Sequence, residues 1–526
     1  MAGPGHREPP CLTDDPSTKQ KGAAISQIRK NFTRLYRVIS SKYTLTKAGI
    51  FAILTKIIQT GKGALRNAGS LCVFSAILIS GILPKRTARV KGEHIMVREI
   101  KGSTLYFDGC DTCELARQYG TPLYVFSETD IVRRFSQLRA CFLEKWPKTR
   151  VAYACKAFCT PAILKIVQRE GMCIDVVSGG ELYTAIQAGF PPERIEFNGN
   201  NKLPAELELA VDHGIGRIII DGLQELSLLE SICKNKGKRI QVLYRVTPGV
   251  KADTHDYIIT GKKDSKFGIP LDDEIIYPAI QAAIDSEWVD FLGVHFHVGS
   301  QLFEVRPYLE AIDTSLKLMK QTRKRFGYTM TELNIGGGFG ITYTTEERRP
   351  YSYFLDPAME KISAFCRDEG FELPAVVIEP GRSIVGEAGM SLYTVGSVKD
   401  IPGVRKYVAV DGGMADNIRP ALYQAVYQGM VANKADREAS DTVTVCGKCC
   451  ESGDILMKDA RLAPVEAGDL IAVFSTGAYG YSMASNYNHS PIPAVVLVKD
   501  GQSHLIVKRQ TYDDLLRNTL IPDHLK

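Results

Sequence analysis

The sequence predicts an α/β protein with a (β/α)8 barrel followed by a mainly antiparallel β domain. Short apolar runs alternate with helix-length amphipathic stretches between residues 122 and 385, which is typical of parallel strands joined by helical crossovers. About eight such runs fit within 264 residues of chain, and a closed barrel of this kind takes roughly 250 residues. After residue 386 the pattern changes to β-rich segments separated by turns.

The barrel elements follow from the order of these runs. The apolar runs are PLYVFS, RVAYACK, CIDVVS, RIEFNG, RIIID, IQVLYRV, FLGVHFH, ELNIGG and AVVIEPG. The stretches between them, such as Ala162–Arg169 and Pro307–Arg325, have apolar residues at helical spacing. We therefore predict the barrel over residues 122–385.

The second domain is predicted from five β-rich segments. They are SLYTVGSVKDI, RKYVAVDGG, DTVTVCGKC, DLIAVFSTGAY and AVVLVKDG. Their short connections favour antiparallel pairing. We predict a β domain made of residues 386–526 together with residues 96–121.

Residues 1–95 differ from the rest of the chain. Residues 1–92 hold 16 Lys or Arg but only three acidic residues, and the apolar run Leu71–Leu83 is too short for a confident membrane span, which needs about 20 residues. Three interpretations stay open: an organelle-targeting segment, an interfacial basic helix, or upstream sequence with the start at Met96. We expect a cytoplasmic protein, with a plastid or other organelle as the alternative.

Composition excludes several classes of function. With 44% hydrophobic and 24% charged residues, the chain is neither disordered nor a multi-span membrane protein. Charges of the main body are dispersed, so we expect no nucleic-acid partner. Thirteen unevenly spaced cysteines favour a reducing compartment, and the clusters at Cys110–Cys113 and Cys446–Cys450 lack a second spaced pair, so we predict no metal site.

Polar residues that end the predicted strands are the candidates for chemistry, because barrel active sites form at the carboxyl ends of strands. Lys156 follows an apolar strand, and burial there would lower its pKa and favour a nucleophilic amine. A surface lysine extending from a strand end is the simpler alternative. Asp175 to Glu181 open a helix, where backbone N–H groups and a carboxylate would face the barrel mouth; helix capping is the alternative explanation.

Two histidines and two glycine loops add to this pattern. His295 and His297 alternate on one strand face, which suits either a metal pair or a platform for a flat cofactor. The loops Gly336–Gly340 and Glu379–Arg382 expose backbone N–H groups to an anion. Two neighbouring anion-binding loops after late barrel strands favour a phosphorylated cofactor.

Together these motifs resemble a known family. They are YACKA at 153–157, HFHVGSQ at 295–301, NIGGGFG at 334–340, EPGR at 379–382, DGGMADNIRPALY at 411–423, CESGD at 450–454 and GAYGYSMASNYN at 477–488. From Arg98 to Leu516 the chain resembles the group III pyridoxal-phosphate-dependent decarboxylases, and within them the branch that acts on meso-2,6-diaminopimelate. The resemblance implies the alanine racemase-like barrel, a carboxy-lyase activity and a role as the last step of lysine biosynthesis, in which meso-diaminopimelate yields L-lysine and CO2.

The resemblance implies a set of cofactor residues. Lys156 would form a Schiff base with pyridoxal 5'-phosphate, and His297 would stack on its ring. The phosphate and ring would be held by Ser300, Gly338, Glu379, Pro380, Gly381, Arg382 and Tyr479. A carboxylate at Glu379 would keep the pyridine nitrogen protonated, which favours decarboxylation.

The resemblance also implies the substrate residues and a homodimer with shared active sites. The far end of the substrate would contact Arg382, Arg419, Tyr423, Glu451 and Tyr479. Two arginines suit a carboxylate and would repel the lone ammonium of ornithine. Cys450 and Glu451 would reach the neighbouring subunit's site, where Cys450 is the candidate proton donor and Lys156 its competitor. Decarboxylation of another diamino acid and a non-catalytic binding role are the alternatives.

Overall fold

The computed structural model describes residues 97–250 and 265–526. The predictions for residues 1–95, including the start at Met96, lie outside the described residues. Helix boundaries follow local signals. The side chains of Thr160 and Ser178 each cap a helix start, and glycines in the left-handed conformation end four of the helices, at Gly214, Gly237, Gly327 and Gly370.

The first described segment contributes a small sheet and one further strand. Its elements are β1 (Arg98–Lys101), β2 (Thr104–Phe107), β3 (Cys110–Asp111), α1 (Thr112–Tyr119) and β4 (Leu123–Ser127). Strands β1, β2 and β3 pair in order as an antiparallel sheet. Leu105, Phe107 and Leu115 pack in one apolar cluster with residues of the second domain such as Leu392 and Val496.

Eight parallel strands close into a barrel. They are β5 (Thr149–Ala154), β6 (Cys173–Val176), β7 (Ile195–Phe197), β8 (Arg217–Ile220), β9 (Ile240–Thr247), β11 (Val289–His295), β12 (Glu332–Asn334) and β13 (Ala375–Ile378), with the short β10 (Ile269–Pro270) added beside β9. Each strand pairs in parallel with its neighbour, and β13 pairs with β5 to close the ring. The predicted (β/α)8 barrel is confirmed.

Helices surround the barrel strands. They are α2 (Glu128–Leu138), α3 (Pro161–Arg169), α4 (Gly179–Gln187), α5 (Pro204–His213), α6 (Leu223–Lys236), α7 (Asp273–Asp285), α8 (Arg306–Phe326), α9 (Tyr351–Glu369) and the one-turn α10 (Arg382–Val385). Their apolar faces join the strands in the largest buried cluster. None of the helices in the described ranges is both long and apolar enough to cross a membrane.

The second domain is a mixed, mostly antiparallel sheet. Its elements are β14 (Gly389–Ile401), β15 (Arg405–Val410), α11 (Arg419–Tyr423), β16 (Gly429–Val431), β17 (Asp441–Cys446), β18 (Ile455–Leu462), β19 (Leu470–Phe474), β20 (Ala494–Lys499), β21 (Gln502–Val507) and α12 (Tyr512–Leu516). The strand order is β18-β17-β15-β14-β4-β20-β21, and β19 pairs with β14 and β16. The predicted β domain is present.

Strand β4 is where the sequence interpretation was wrong. The run PLYVFS was counted as a barrel strand, but Leu123–Ser127 pairs with β14 and β20 in the second sheet. All five of its residues are buried, and a helix follows, so its local pattern is that of a barrel strand. Its partners lie more than 260 residues away in sequence, and the local sequence does not identify them.

Candidate active site

A cavity of about 680 Å³ opens at the carboxyl ends of the barrel strands, where β5, β6, β11 and β13 end and loops of the second domain approach. Ten of the predicted site residues line it: Lys156, His297, Ser300, Gly338, Glu379, Gly381, Arg382, Arg419, Tyr423 and Tyr479. Pro380 supports the wall through its carbonyl oxygen, which accepts a hydrogen bond of 3.1 Å from the backbone N–H of Ala154. The predicted barrel-mouth and second-domain residues thus converge on one cavity.

Lys156 lies in a short 3-10 turn, Cys155–Ala157, directly after β5. Burial by itself lowers the pKa of its amine. Tyr479, Asp175 and Glu379 outweigh burial, so the pKa lies above that of an ordinary lysine. The predicted lowering of this pKa is therefore wrong for the protein alone, because the sequence did not show that two carboxylates lie near the amine.

Glu379 ends β13 and is only 6% exposed. Its carboxylate accepts hydrogen bonds from Nδ2 of Asn334 at 2.9 Å and Nδ2 of Asn198 at 3.1 Å, and His295 Nε2 lies 3.0 Å from Oε1. Burial raises the pKa of Glu379, but His295, Lys156 and His297 lower it by more, to well below its usual range. The carboxylate is therefore anionic at the base of the cavity.

The two histidines have separate partners. Burial lowers the pKa of both imidazoles, so each ring is neutral at neutral pH. His295 donates from Nε2 to Glu379, and Nδ1 of His297 accepts a bond of 3.2 Å from the backbone N–H of Gly337. His297 thus presents a fixed, neutral ring to the cavity.

Asp175 and Asn198 extend the network around Glu379. Asn198 Nδ2 donates to Asp175 Oδ1 at 2.7 Å as well as to Glu379. Burial and then the charge of Glu379 raise the pKa of Asp175. Asp175 was predicted only as part of a helix opening at the barrel mouth. Asn198 was not predicted, although its position at the end of RIEFNG, where a buried strand stops, was the available signal.

A second layer of charges lies below this network inside the barrel. Asn334 Nδ2 also donates to Glu196 Oε2 at 3.0 Å, and Arg217 pairs with Glu332 at 2.6 Å. Burial, followed by the charge of Glu332, raises the pKa of Glu196 to about 8. The site is therefore continuous with a buried polar layer, which was not predicted from the sequence.

Glycines form the rim of the cavity where a bulky anion would lie. Gly338 has a φ of 111°, and a Cβ there would be 2.3 Å from the carbonyl oxygen of Gly299. A Cβ on Gly337 would be 1.9 Å from the carbonyl oxygen of Glu379. Only glycine fits at these positions, which brings two backbone loops together.

A second group of lining residues, called the substrate end below, centres on two arginines. Arg382 donates from Nη1 to Tyr343 Oη at 2.6 Å and from Nη2 to Ser300 Oγ at 3.2 Å. Arg419 donates to the same Tyr343 oxygen at 3.0 Å and to Tyr427. Within residues 97–250 and 265–526, no carboxylate forms an ion pair with either guanidinium, although both are more than 90% buried.

Tyr479 and Tyr423 come from the second domain. Tyr479 has a positive φ of 60° and its backbone N–H donates to Ala157 O at 2.9 Å, which fixes it beside Lys156. The centroid of its ring lies 4.7 Å from the guanidinium carbon of Arg382. Tyr423, at the end of α11, lines the cavity near Arg419.

Cys450 and Glu451 do not line this cavity. Both are exposed on the loop between β17 and β18, where the backbone N–H of Cys450 donates to Asn488 Oδ1 at 2.7 Å. The structure thus separates these two predicted residues from the other predicted site residues of their own chain.

The residues present fit pyridoxal phosphate. One cavity contains a half-buried lysine, a neutral imidazole, an anionic carboxylate and a glycine-lined rim. His295 Nδ1 and Asp175 Oδ2 are buried polar atoms without a hydrogen-bond partner among the described residues. Among those residues there is also no group of three side chains suited to a metal.

Comparison with known proteins agrees with this chemistry. Residues 128–386 match the family model for the pyridoxal binding domain of pyridoxal-dependent decarboxylases. A diaminopimelate decarboxylase of Bacillus subtilis is 49% identical over 425 residues, which cover 81% of this chain and 97% of that protein. The crystal structure of diaminopimelate decarboxylase from Methanocaldococcus jannaschii has a TM-score of 0.77 at 35% identity and covers 82% of this chain and 99% of that one. That enzyme has a second structure in complex with L-lysine, with 36% identity and the same TM-score.

Identity at this level over nearly the whole length of these relatives, together with the matched barrel and cavity, shows the family. The chain belongs to the diaminopimelate decarboxylases, a branch of the pyridoxal-phosphate-dependent decarboxylases.

Proposed function

We propose that this chain converts meso-2,6-diaminopimelate to L-lysine and CO2 with the residues of the described cavity. One observation carries the proposal. The same cavity is lined by an amine and an anionic carboxylate, Lys156 and Glu379, and by two guanidiniums that have no carboxylate partner among the described residues. A substrate with a reacting amino acid centre at one end and a carboxylate at the far end matches both.

The cofactor end would hold pyridoxal 5'-phosphate. Lys156 would hold it covalently through its amine, and the neutral ring of His297 would lie against its face. Ser300, Gly338 and the loop Glu379–Arg382 would bind the phosphate and ring through hydroxyl and backbone groups. The cofactor, when bound, accepts the electron pair that remains on carbon as CO2 leaves.

Glu379 is the residue that tunes this chemistry. With the cofactor bound, an anionic Glu379 would keep the pyridine nitrogen protonated. The amides of Asn198 and Asn334 and the imidazole of His295 hold the carboxylate oxygens in one orientation. Because these donors come from three different barrel strands or strand ends, the orientation is set by the barrel itself.

The substrate end would bind the centre that does not react. Arg382 and Arg419 would donate to its carboxylate, with Tyr423 and Tyr479 beside them. A substrate whose far end bears only an ammonium leaves two buried guanidiniums unpaired and adds a like charge. The pair therefore favours diaminopimelate over ornithine or arginine.

We further propose a homodimer in which Cys450 and Glu451 serve the active site of a second copy of the chain. Glu451 would bind the distal ammonium, and Cys450 would deliver a proton to the carbon that lost CO2, with Lys156 as its competitor. Both residues are exposed in the single chain, and so are the apolar side chains Leu422 and Val426 near the cavity mouth. A second copy that covers this surface would add the missing acid and carboxylate.

We also propose a cytoplasmic location. Every cysteine among the described residues is a free thiol, which suits a reducing compartment. Fractionation of cells that express the full chain, beside a chain that lacks residues 1–95, would show whether that segment directs it elsewhere.

The function is tested with purified protein and pyridoxal phosphate. We expect L-lysine and CO2 from meso-diaminopimelate, at least 100-fold less turnover of ornithine or arginine at equal concentration, and an absorbance band of the lysine-bound cofactor. A normal band with no product from diaminopimelate would refute the substrate assignment. Product from ornithine at a similar rate would refute the role of the two arginines.

The shared site is tested by mixing inactive subunits. The assay uses a substrate concentration far below the KM of the variants, at which Lys156→Ala and Glu451→Ala chains each have little activity. After mixing they should regain up to about a quarter of wild-type activity, because half of the dimers are mixed and each has one intact site. A mixture of Lys156→Ala with Arg419→Ala should regain none if both residues act in their own chain. Activity only in the mixture of Lys156→Ala with Arg419→Ala would mean that Arg419, and not Glu451, serves the active site of the neighbouring subunit.

A further inference from the structure

Tyr343 lies between the two arginines of the substrate end. Its hydroxyl oxygen accepts from Arg382 Nη1 at 2.6 Å and from Arg419 Nη1 at 3.0 Å. The tyrosine is 7% exposed and its side chain lines the cavity. One neutral oxygen thus holds two cationic groups side by side at the point where a carboxylate would bind.

The Tyr343 hydroxyl can still donate one hydrogen bond. Its oxygen has accepted two N–H donors, which uses its acceptor capacity. Among the described residues no acceptor takes its hydroxyl hydrogen, and an oxygen that receives from two cations is best completed by donation to an anion. That anion would lie in the cavity, within reach of both guanidiniums.

The position of Tyr343 is fixed on two sides. The Glu346 carboxylate accepts from the backbone N–H groups of Tyr343 at 3.1 Å and Thr344 at 2.7 Å. The Tyr427 ring packs edge-on against the Tyr343 ring, with centroids 5.4 Å apart. The phenol is therefore held in place before any ligand arrives, which lowers the entropy cost of binding.

A second tyrosine, Tyr427, contacts only one of the two arginines. It also accepts a hydrogen bond from Arg419 and belongs, like Tyr343, to the apolar cluster of the second domain. It is 4% exposed and does not line the cavity. Tyr343 differs in contacting both arginines and in facing the cavity.

We propose that Tyr343 is a further substrate-binding and specificity-determining residue, which holds Arg382 and Arg419 together and donates its hydroxyl hydrogen to the distal carboxylate. This inference rests on the proposed function, because the distal carboxylate is that of diaminopimelate. L-Lysine retains the same carboxylate after the reaction, so Tyr343 binds substrate and product alike. A diamine without a carboxylate gains nothing from it.

The test compares the wild-type holoenzyme with Tyr343→Phe and Tyr427→Phe. Each change removes one buried hydroxyl, so the two variants are matched. The measurements are KM and kcat for meso-diaminopimelate and the inhibition constants of L-lysine and of 1,5-diaminopentane.

We expect Tyr343→Phe to raise both KM and the inhibition constant of L-lysine by about 10- to 50-fold, the usual cost of losing a hydrogen bond to a charged group, because the bond to the distal carboxylate is lost. We expect kcat and inhibition by the diamine to change less than about threefold, because neither depends on distal-carboxylate binding. Tyr427→Phe should change all four quantities by less than about threefold.

Three results would overturn the inference. They are a KM for Tyr343→Phe within twofold of wild type, an equal weakening of lysine and diamine binding, and an equal effect of Tyr427→Phe. If Tyr343→Phe does not fold, Glu346→Gln loosens the same loop and should weaken L-lysine but not diamine binding. A wild-type enzyme inactive on diaminopimelate would instead overturn the proposed function.

Discussion

At the cofactor end of the cavity, buried carboxylates are surrounded by amide, imidazole and amine groups, whereas at the substrate end two buried guanidiniums donate to hydroxyl oxygens. Glu379 has three polar partners from its own chain. Arg382 and Arg419 share the neutral oxygen of Tyr343. The first end is charge-balanced before any ligand binds, while the second carries positive charge that an anionic ligand would neutralise.

The two ends therefore have different roles: the cofactor end tunes the reaction, and the substrate end selects the ligand. A group that tunes a reaction must keep one charge state and one orientation, so many donors hold it. A group that selects a ligand gains affinity when its charge is satisfied only on binding. Changes at the cofactor end should therefore lower kcat, and changes at the substrate end should raise KM.

The largest expected effect comes from Lys156→Ala. We expect turnover of diaminopimelate to fall by about 10⁴-fold or more, because the amine that would hold the cofactor is lost. L-Lysine production measures it. Lys165→Ala on the exposed face of α3 is the control and should keep full activity. Substantial turnover by Lys156→Ala without added amine would contradict its role.

Glu379→Gln breaks the charge balance of the cofactor end while it keeps the side-chain shape. We expect kcat to fall by about 10²- to 10³-fold, the usual cost of one preorganised electrostatic group, and KM to change by less than about fivefold. Steady-state kinetics and the cofactor absorbance measure it. A variant in which only KM changes would remove the distinction between the two ends.

Arg419→Gln tests the substrate end. We expect KM to rise by about 10- to 100-fold, since a charge-assisted hydrogen bond contributes about 1.5 to 3 kcal/mol, while kcat falls much less. Arg461→Gln, an exposed arginine of β18, is the control and should leave both constants unchanged. If kcat fell by as large a factor as KM rose, Arg419 would act in the chemical step and not only in substrate binding.

The smallest effect concerns stability. Burial and the charge of Glu332 raise the pKa of Glu196 to about 8, above the ordinary value of 4.5. The folded state then binds more protons than the unfolded state between these pH values, so this group makes stability fall as pH rises from about 5 to 8.

Glu196→Gln should reduce that fall. Melting temperatures of the wild type and the variant are measured from pH 5 to pH 8. The loss of unfolding free energy over this range should be smaller in the variant by about 1 kcal/mol or more. Identical slopes would mean that Glu196 titrates normally in the folded protein.

Much of the fold followed from the sequence. The alternation of apolar strands and amphipathic helices predicted the barrel, and the strand ends at Lys156, His297 and Glu379 predicted where polar groups converge, because parallel strands end on the same side of the sheet. The glycines after β12 predicted a loop whose backbone is free of Cβ obstruction, and in the structure a Cβ on Gly338 would clash with the carbonyl oxygen of Gly299.

Other features depend on partners far away in sequence. Strand β4 has the pattern of a barrel strand but pairs with strands near residues 390 and 495. Asn198 contacts Glu379 across 181 positions, and Tyr343 meets Arg419 across 76. A single asparagine or tyrosine in a loop has no local pattern that indicates such a contact.

By itself, the sequence determined the element types, the strand ends that bear chemical groups and the glycines that only a tight approach requires, since each depends on local spacing and backbone sterics. The tertiary structure decided which sheet received β4, that Lys156 has a raised rather than lowered pKa, and that Tyr343 joins the two arginines. Those outcomes depend on electrostatic and hydrogen-bond contacts that exist only once distant segments are packed together.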